Sequence, residues 1–187
     1  MKLTEKTISQ TNIFSGRIIN VSLDDVELPN GEMAKRELVA HSGGACVVAI
    51  DDNQEILFIR QFRYPFKEIL LELPAGKLEK GQTPLQNCIR ELKEETGATG
   101  RNYVSLGTVY PTVGYCNEII HIFMCQIDSI GNQNLDEDEF LNVEKIHIDK
   151  ALDMVMNNEI PDAKTQIGIL KASILLQKER DKSQCNT

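Results

Sequence analysis

The stretch GKLEKGQTPLQNCIRELKEETGA, residues 76–98, decides how the rest of the chain is read. It carries the signals of one helix at both ends. Thr83 and Gln86 stand at capping-box spacing, where each side chain can satisfy a backbone N–H that the first helical turn leaves free. Pro84 falls at the first helical position, where its missing N–H costs nothing. Gly97 suits the left-handed residue that ends a helix. Between these signals Leu85, Cys88, Ile89 and Leu92 recur at i, i+3, i+4 and i+7, the spacing of a stripe turned toward a core.

The same helix carries Glu91, Glu94 and Glu95. At ~100° per residue they share one face, roughly 120° from the apolar stripe. Like charges at this spacing repel. Such a face is either solvated or binds a hard divalent cation. Mg²⁺ in particular takes oxygen ligands, keeps several waters and is shared with substrate phosphates. The context favours the cation. Leu73-Pro74-Ala75-Gly76 closes a strand just upstream, and a tight turn there can aim a backbone carbonyl at the same metal. Arg90 lies within pairing reach of the carboxylates. A phosphate-cradling loop is the competing reading of Gly76 to Thr83, but Gln82 stands where that loop requires its lysine.

Outward from this segment, residues 17–28 and 33–40 alternate loosely around Pro29-Asn30-Gly31, a hairpin signal. Ala45–Ile50, Ile56–Ile59, Ile69–Leu73, Val104–Tyr110, Ile119–Ile127 and Val143–Ile148 read as strands. Two further helices are expected, over roughly 149–158 and 162–178, the latter with Ala163, Ile167, Leu170 and Ile174 on one face. Residues 178–187 are polar and expected to fray. Strands outnumbering helices indicate a mixed sheet flanked by helices.

Composition narrows the function classes. The 187 residues carry 20 Lys+Arg against 28 Asp+Glu, a net charge of −8, which excludes a nucleic-acid binder held by a basic surface. It does not exclude an anionic substrate, since a divalent metal inverts the local sign. With 41% hydrophobic residues the chain can build a sizeable core. Cys46, Cys88, Cys116, Cys125 and Cys185 are scattered with no C-x-x-C, so neither a zinc ribbon nor a disulfide framework is indicated, and a cytoplasmic location is expected. The charged N-terminus has no apolar region behind it, so no signal peptide is expected, and no apolar run approaches the length of a membrane span. His41, His121 and His147 show no ligand spacing and read as structural.

Residues 76–98 resemble the Nudix box, G-x5-E-x7-R-E-U-x-E-E-x-G-U with U apolar. Every fixed position matches except Gln82, which replaces the first glutamate. In that family this glutamate is mainly structural, held near the box arginine, and Gln82 is expected to hydrogen-bond Arg90 in its stead. The resemblance narrows to the ADP-ribose pyrophosphatase branch. Ile59-Arg60-Gln61-Phe62-Arg63-Tyr64 is similar to its R-Q-[YF]-R run, Tyr110 to Tyr115 to the loop after the box, and Leu135 to Phe140 to its mobile acidic loop. Asp162-Ala163-Lys164-Thr165 is similar to the start of its last helix.

The resemblance implies an α/β fold, the Nudix α/β/α sandwich with a mixed sheet, over residues 43–187. It also implies a small N-terminal β-region over residues 1–42, which such enzymes exchange across a homodimer. It further implies Mg²⁺, with Mn²⁺ as a substitute, bound by Glu91, Glu95 and the Ala75 carbonyl with Glu94 beside them. Glu137 or Glu139 then activates the water, with Phe140 expected to anchor that loop. Arg63, Gly114 and Arg36 bind substrate, Arg36 reaching the partner's nucleotide pocket. Tyr64 and Phe66 either stack on adenine or pack in the core. The implied reaction is hydrolysis of ADP-ribose to AMP and ribose 5-phosphate. Val113 stands where many ADP-ribose enzymes carry a proline, which leaves other nucleoside diphosphate sugars open. A ligand-sensing domain that binds without cleaving is the alternative from another class, and the intact Arg90, Glu91, Glu94 and Glu95 speak against it. No nucleic-acid or membrane partner is expected.

Overall fold

The computed structural model describes residues 3–185, excluding the side chains of Gln184 and Cys185. The chain falls into two units. One comprises the segment up to Gly43 together with Tyr110–Ile119; the other comprises Gly44–Val109 and the chain from Ile120 onward.

The first unit is an antiparallel three-stranded sheet in the order β1 (Lys6–Ser15), β2 (Ile19–Glu27), β3 (Met33–His41). Its β2–β3 turn closes with Gly31 N–H donating to the Leu28 carbonyl at 2.9 Å and Leu28 N–H to that of Glu32 at 2.8 Å, with Pro29 at the second position. Strand β1 has no counterpart in the sequence reading. Every one of its residues is exposed, so it lacks the alternation that marks a half-buried strand. The segment 110–119 joins this unit through Val39, whose N–H donates to the Tyr115 carbonyl at 2.7 Å and whose carbonyl accepts from Asn117 N–H at 3.1 Å.

Among the described residues the second unit holds a seven-stranded mixed sheet and three helices. The elements are β4 (Gly44–Ile50), β5 (Glu55–Arg63), β6 (Glu68–Glu72), β7 (Ala75–Lys77), α1 (Pro84–Thr96), β8 (Ala98–Val109), β9 (Ile120–Ile130), β10 (Leu141–His147), α2 (Ile148–Met156) and α3 (Ala163–Cys185). The main order is β10-β5-β4-β9-β8, with β6 on β5 and β7 on β4; β4 and β9 run parallel and the other pairs antiparallel.

Strand β4 explains the layering. Ala45, Val47 and Ala49 pack with Cys88 and Leu92 of α1, whereas Cys46, Val48 and Ile50 pack with Ala151 of α2 and Ile169 and Ala172 of α3. A strand covered on both faces reads as a continuous apolar run. The result is an α/β/α sandwich. No described helix is long and apolar enough to cross a membrane.

Several local expectations change. Helix α3 continues to Cys185 rather than stopping near residue 178. Its buried positions are Thr165, Gly168, Ile169 and Ala172; Ile167 and Leu170 pack against the core half-buried, whereas Ala163 and Ile174 are exposed. It docks closely, since a methyl group on Gly168 would lie 2.6 Å from Leu73 Cδ1. His147 ends β10 and caps α2, its Nδ1 accepting from Asp149 N–H at 3.3 Å. On α1, Cys88 and Leu92 are buried as expected, but Leu85 and Ile89 are exposed, and the buried arc continues instead through Asn87 and Glu95. Strand β7 lies beside that arc, so packing and not hydropathy sets the face.

Candidate active site

Helix α1 begins and ends as its sequence dictates. The reciprocal Thr83–Gln86 capping box forms, and Gly97 adopts φ 71° with its N–H bonded to the Lys93 carbonyl. A methyl group on Gly97 would lie 2.3 Å from the Gly131 carbonyl oxygen, so both the φ and the space demand glycine.

The C-terminal half of α1 faces the β6–β7 loop. Glu95, only 1% exposed, accepts the Ala75 N–H at 2.9 Å. Backbone and helix touch at Gly76, where a Cβ would fall 1.8 Å from Glu91 Oε1. Arg90 ties the acids together. Its Nη1 donates to Glu94, and its Nη2 donates to Glu91 Oε1 at 2.5 Å and to Asn87 Oδ1 at 3.1 Å. Buried Asn87 in turn donates to the Gly76 carbonyl at 3.3 Å. Gln82 does not reach Arg90. Its amide donates to Glu79 at 2.8 Å, and Glu79 stands 3.4 Å from Arg90 Nη2.

The last carbonyls of α1 also have partners. Gln133 Nε2 donates to the Glu95 carbonyl at 2.5 Å, Asn134 N–H to that of Glu94 at 2.9 Å, and Gly131 N–H to that of Gly97 at 2.8 Å. These orphan acceptors of the helix end thus fasten the polar stretch 131–134 to the acidic helix. The acidic loop departs from that anchor. Glu139 is half-buried and its N–H closes a turn onto the Asp136 carbonyl at 3.0 Å, whereas Glu137 is exposed. Phe140 does not anchor the loop; it is 81% exposed.

The acids are electrostatically crowded. Burial pushes the Glu95 carboxyl well above its ordinary range; the Ala75 N–H opposes this, and repulsion from Glu91 and Glu139 adds to it. Burial likewise raises Glu91, against the pull of Arg90 and with the push of Glu94 and Glu139. Glu139 is raised by burial and by neighbouring Asp136, with Glu94 adding and Arg63 opposing. The structure therefore gathers Glu91, Glu94, Glu95, Ala75, Glu139 and Arg63 in one neighbourhood. Glu137 stays outward. Arg36 and Gly114 belong to the first unit, where Arg36 pairs with Glu5 at 2.6 and 3.0 Å and a Cβ on Gly114 would meet nothing within 4 Å. Tyr64 and Phe66 are exposed, so neither packs in the core.

Arg63 is held by Glu72, to which the sequence reading gave no role, and through it by the start of α3. Its Nε and Nη2 clamp the buried Glu72 carboxylate at 2.5 and 2.7 Å. Lys164 donates to Glu72 Oε2, the oxygen that also accepts from Arg63 Nη2, and to Asp162 at 3.0 Å, and Asp162 accepts from Thr165 Oγ1 at 2.6 Å. Thr165 Oγ1 accepts the Leu73 N–H at 2.9 Å, which ties α3 to the strand end before the β6–β7 loop. Burial pulls Glu72 upward, but Arg63 and Lys164 more than offset it and hold the group down at about 2. A carboxylate depressed in this way adds stability above its unfolded pKa of about 4.5, and the contribution is lost as pH falls toward 2. It amounts to on the order of 3 kcal/mol. Urea melts of wild type and Glu72→Gln are expected to differ at pH 7 and to converge as pH falls below 4; a constant difference would contradict this.

Among the described residues no three His, Cys, Asp or Glu side chains are close enough together to hold a metal as placed here. Arg90 engages Glu91 and Glu94, and the Ala75 N–H engages one oxygen of Glu95. The donor set nevertheless fits a hard divalent cation. Glu95 is buried and Glu91 half-buried, each repelled by the other or by Glu139, and all their donor atoms are oxygens.

The NUDIX domain model matches residues 40–165, and the nucleoside diphosphate sugar hydrolase N-terminal domain model matches residues 5–39. The ADP-ribose pyrophosphatase of Bacillus subtilis (strain 168) is 42% identical over 182 residues, covering 94% of this chain and 98% of that protein. A methanol dehydrogenase activator from Bacillus methanolicus is 41% identical over 167 residues, covering 88% and 90%. The crystal structure of an ADP compounds hydrolase shares the fold, with a TM-score of 0.83 at 18% identity over 96% of this chain and 98% of that one. ADP-ribose pyrophosphatases of this kind generally use divalent metals, as the carboxylate cluster would require. With the box residues placed as the geometry shows and a family model spanning most of the chain, this protein belongs to the Nudix hydrolase family.

Proposed function

We propose that the protein is a Mg²⁺-dependent pyrophosphatase that hydrolyses ADP-ribose to AMP and ribose 5-phosphate. What supports this reading is buried Glu95, held by the Ala75 N–H, and Glu91, packed against Gly76, with half-buried Glu139 in the field of both. Mg²⁺ bound by Glu91 and Glu95, with the Ala75 carbonyl, would neutralise the diphosphate and polarise the attacked phosphorus. Glu139 accepts the proton of the attacking water as its oxygen bonds to phosphorus and the bridging P–O bond breaks. Arg63, its orientation fixed by Glu72, presents its remaining N–H groups to the diphosphate oxygens. The Ala75 N–H fixes Glu95, and Arg90 fixes Glu94.

A second reading within the same chemistry is another nucleoside diphosphate sugar. It is favoured by exposed Val113, which stands in place of the marker proline, and by the family to which residues 5–39 are matched. A hydrolysis panel of ADP-ribose, GDP-mannose, ADP-glucose, NADH and 8-oxo-dGTP with Mg²⁺ tests both. ADP-ribose is expected to give the highest kcat/KM; a higher value for another sugar would replace the substrate while keeping the mechanism.

The functional form is a homodimer built through the first unit. Among the described residues of that unit, Val26 is the one apolar side chain that is buried. Ile13, Phe14, Ile18 and Met33 are exposed, and a groove of about 360 Å³ is lined by Ile13, Val21, Leu23, Val39 and Tyr115. A small sheet with so little core needs a partner surface. By resemblance, Arg36 then serves the partner's site. Light scattering is expected to give twice the chain mass at assay concentration; a fully active monomer would contradict this. The free Cys46, Cys88, Cys116 and Cys125 support a cytoplasmic setting.

A further inference from the structure

Arg90 is shared among more acids than a metal would leave to it. Nη1 holds Glu94, and Nη2 holds Glu91 at 2.5 Å, with Glu79 3.4 Å from the same nitrogen. Its Nε is buried and finds no acceptor among the described residues. The side chain at position 82 does not supply one. Gln82 turns its amide N–H to Glu79 Oε2 at 2.8 Å, and its own Oε1 is buried without a partner. One carboxylate, Glu79, therefore uses one oxygen for Gln82 and the other for Arg90.

This matters because the guanidinium that holds Glu91 Oε1 offsets the charge that Glu91 would offer a cation. When Glu91 turns to the metal, the guanidinium needs another carboxylate; otherwise it follows Glu91 and competes for it. Glu94 engages only Nη1. We propose that Glu79 is a positioning residue that retains Arg90 when Glu91 is released to the metal, and that Gln82 holds Glu79 in place for this task. A carboxylate at position 82 that turned to the orphan Nε would make Glu79 dispensable. The proposal rests on the metal reading given above.

The test is a cycle of Glu79→Gln, Gln82→Glu and the double variant in the full-length protein. Mn²⁺ affinity is read by electron paramagnetic resonance, and the thermal midpoint is measured in EDTA. Glu79→Gln is expected to weaken Mn²⁺ binding about three- to tenfold, less than the ~10–100-fold typical of a buried outer-shell partner because Glu79 is exposed. The EDTA midpoint is expected to stay unchanged, because Arg90 keeps Glu91 and Glu94 in the metal-free protein. Gln82→Glu is expected to restore the affinity in the Glu79→Gln background. Wild-type affinity in Glu79→Gln overturns the proposal. So does a loss that Gln82→Glu fails to restore, or one accompanied by a matching fall of the EDTA midpoint. A wild-type protein that binds no Mn²⁺ overturns the metal reading, and this proposal with it.

Discussion

Glu95→Gln is expected to lower kcat/KM for ADP-ribose by on the order of 10³–10⁴-fold, the several kcal/mol that a catalytic metal site supplies. The fold is expected to survive the change. The sequence reading placed Glu95 on an exposed face, but the structure buries it and bonds it to the Ala75 N–H. Glutamine keeps the same shape and a carbonyl oxygen for that N–H. It also removes a charge that burial disfavours. A carboxylate raised in the folded state destabilises the protein at pH above its unfolded pKa, so removing it costs no stability at pH 7. The thermal midpoint in EDTA is therefore expected to equal or exceed that of wild type, while the increase on adding Mg²⁺ disappears. Near wild-type turnover at saturating Mg²⁺ would remove Glu95 from the site.

The second large effect concerns the base. Glu139→Gln is expected to lower kcat by ~10²–10⁴-fold with KM nearly unchanged, since the proton moves only in the transition state. Glu137→Gln is expected to stay within a few-fold of wild type. The two differ in placement. Glu139 is half-buried, repelled by Glu94 and drawn by Arg63, whereas Glu137 is exposed. Although four adjacent acids repel one another, Glu139 already lies within the field of Glu91 and Glu95. The stretch 131–134, bonded to the end of α1, explains why. If neither variant loses tenfold in kcat, the base lies elsewhere, and Glu94 is the next residue to test.

What the sequence revealed and what it hid follow the range of the interactions. The caps of α1 were legible because Thr83, Gln86 and Gly97 act on backbone groups within one turn. The run Ala45–Ile50 was legible because both faces of β4 are covered. The burial of Glu95 was hidden because it depends on β7, a strand twenty residues upstream that reads as a turn. The clamp on Arg63 was hidden for the same reason: Lys164 reaches Glu72 across 92 residues. The link between Gln82 and Glu79 is local, but an amide in place of a carboxylate gives no sign of which neighbour it will choose. Strand β1 was hidden because backbone pairing to β2 leaves no periodicity in exposed side chains.

The central claim is that the carboxylates gathered on α1 and the acidic loop make this chain a hydrolase of the ADP-ribose diphosphate and not a binder of it. The most direct test is product analysis of ADP-ribose incubated with the wild-type protein and Mg²⁺ in ¹⁸O-water. The account predicts equimolar AMP and ribose 5-phosphate, with one ¹⁸O on one of the two phosphates, and no products in EDTA. ADP-ribose recovered intact from a protein that binds both it and Mg²⁺ would contradict the account.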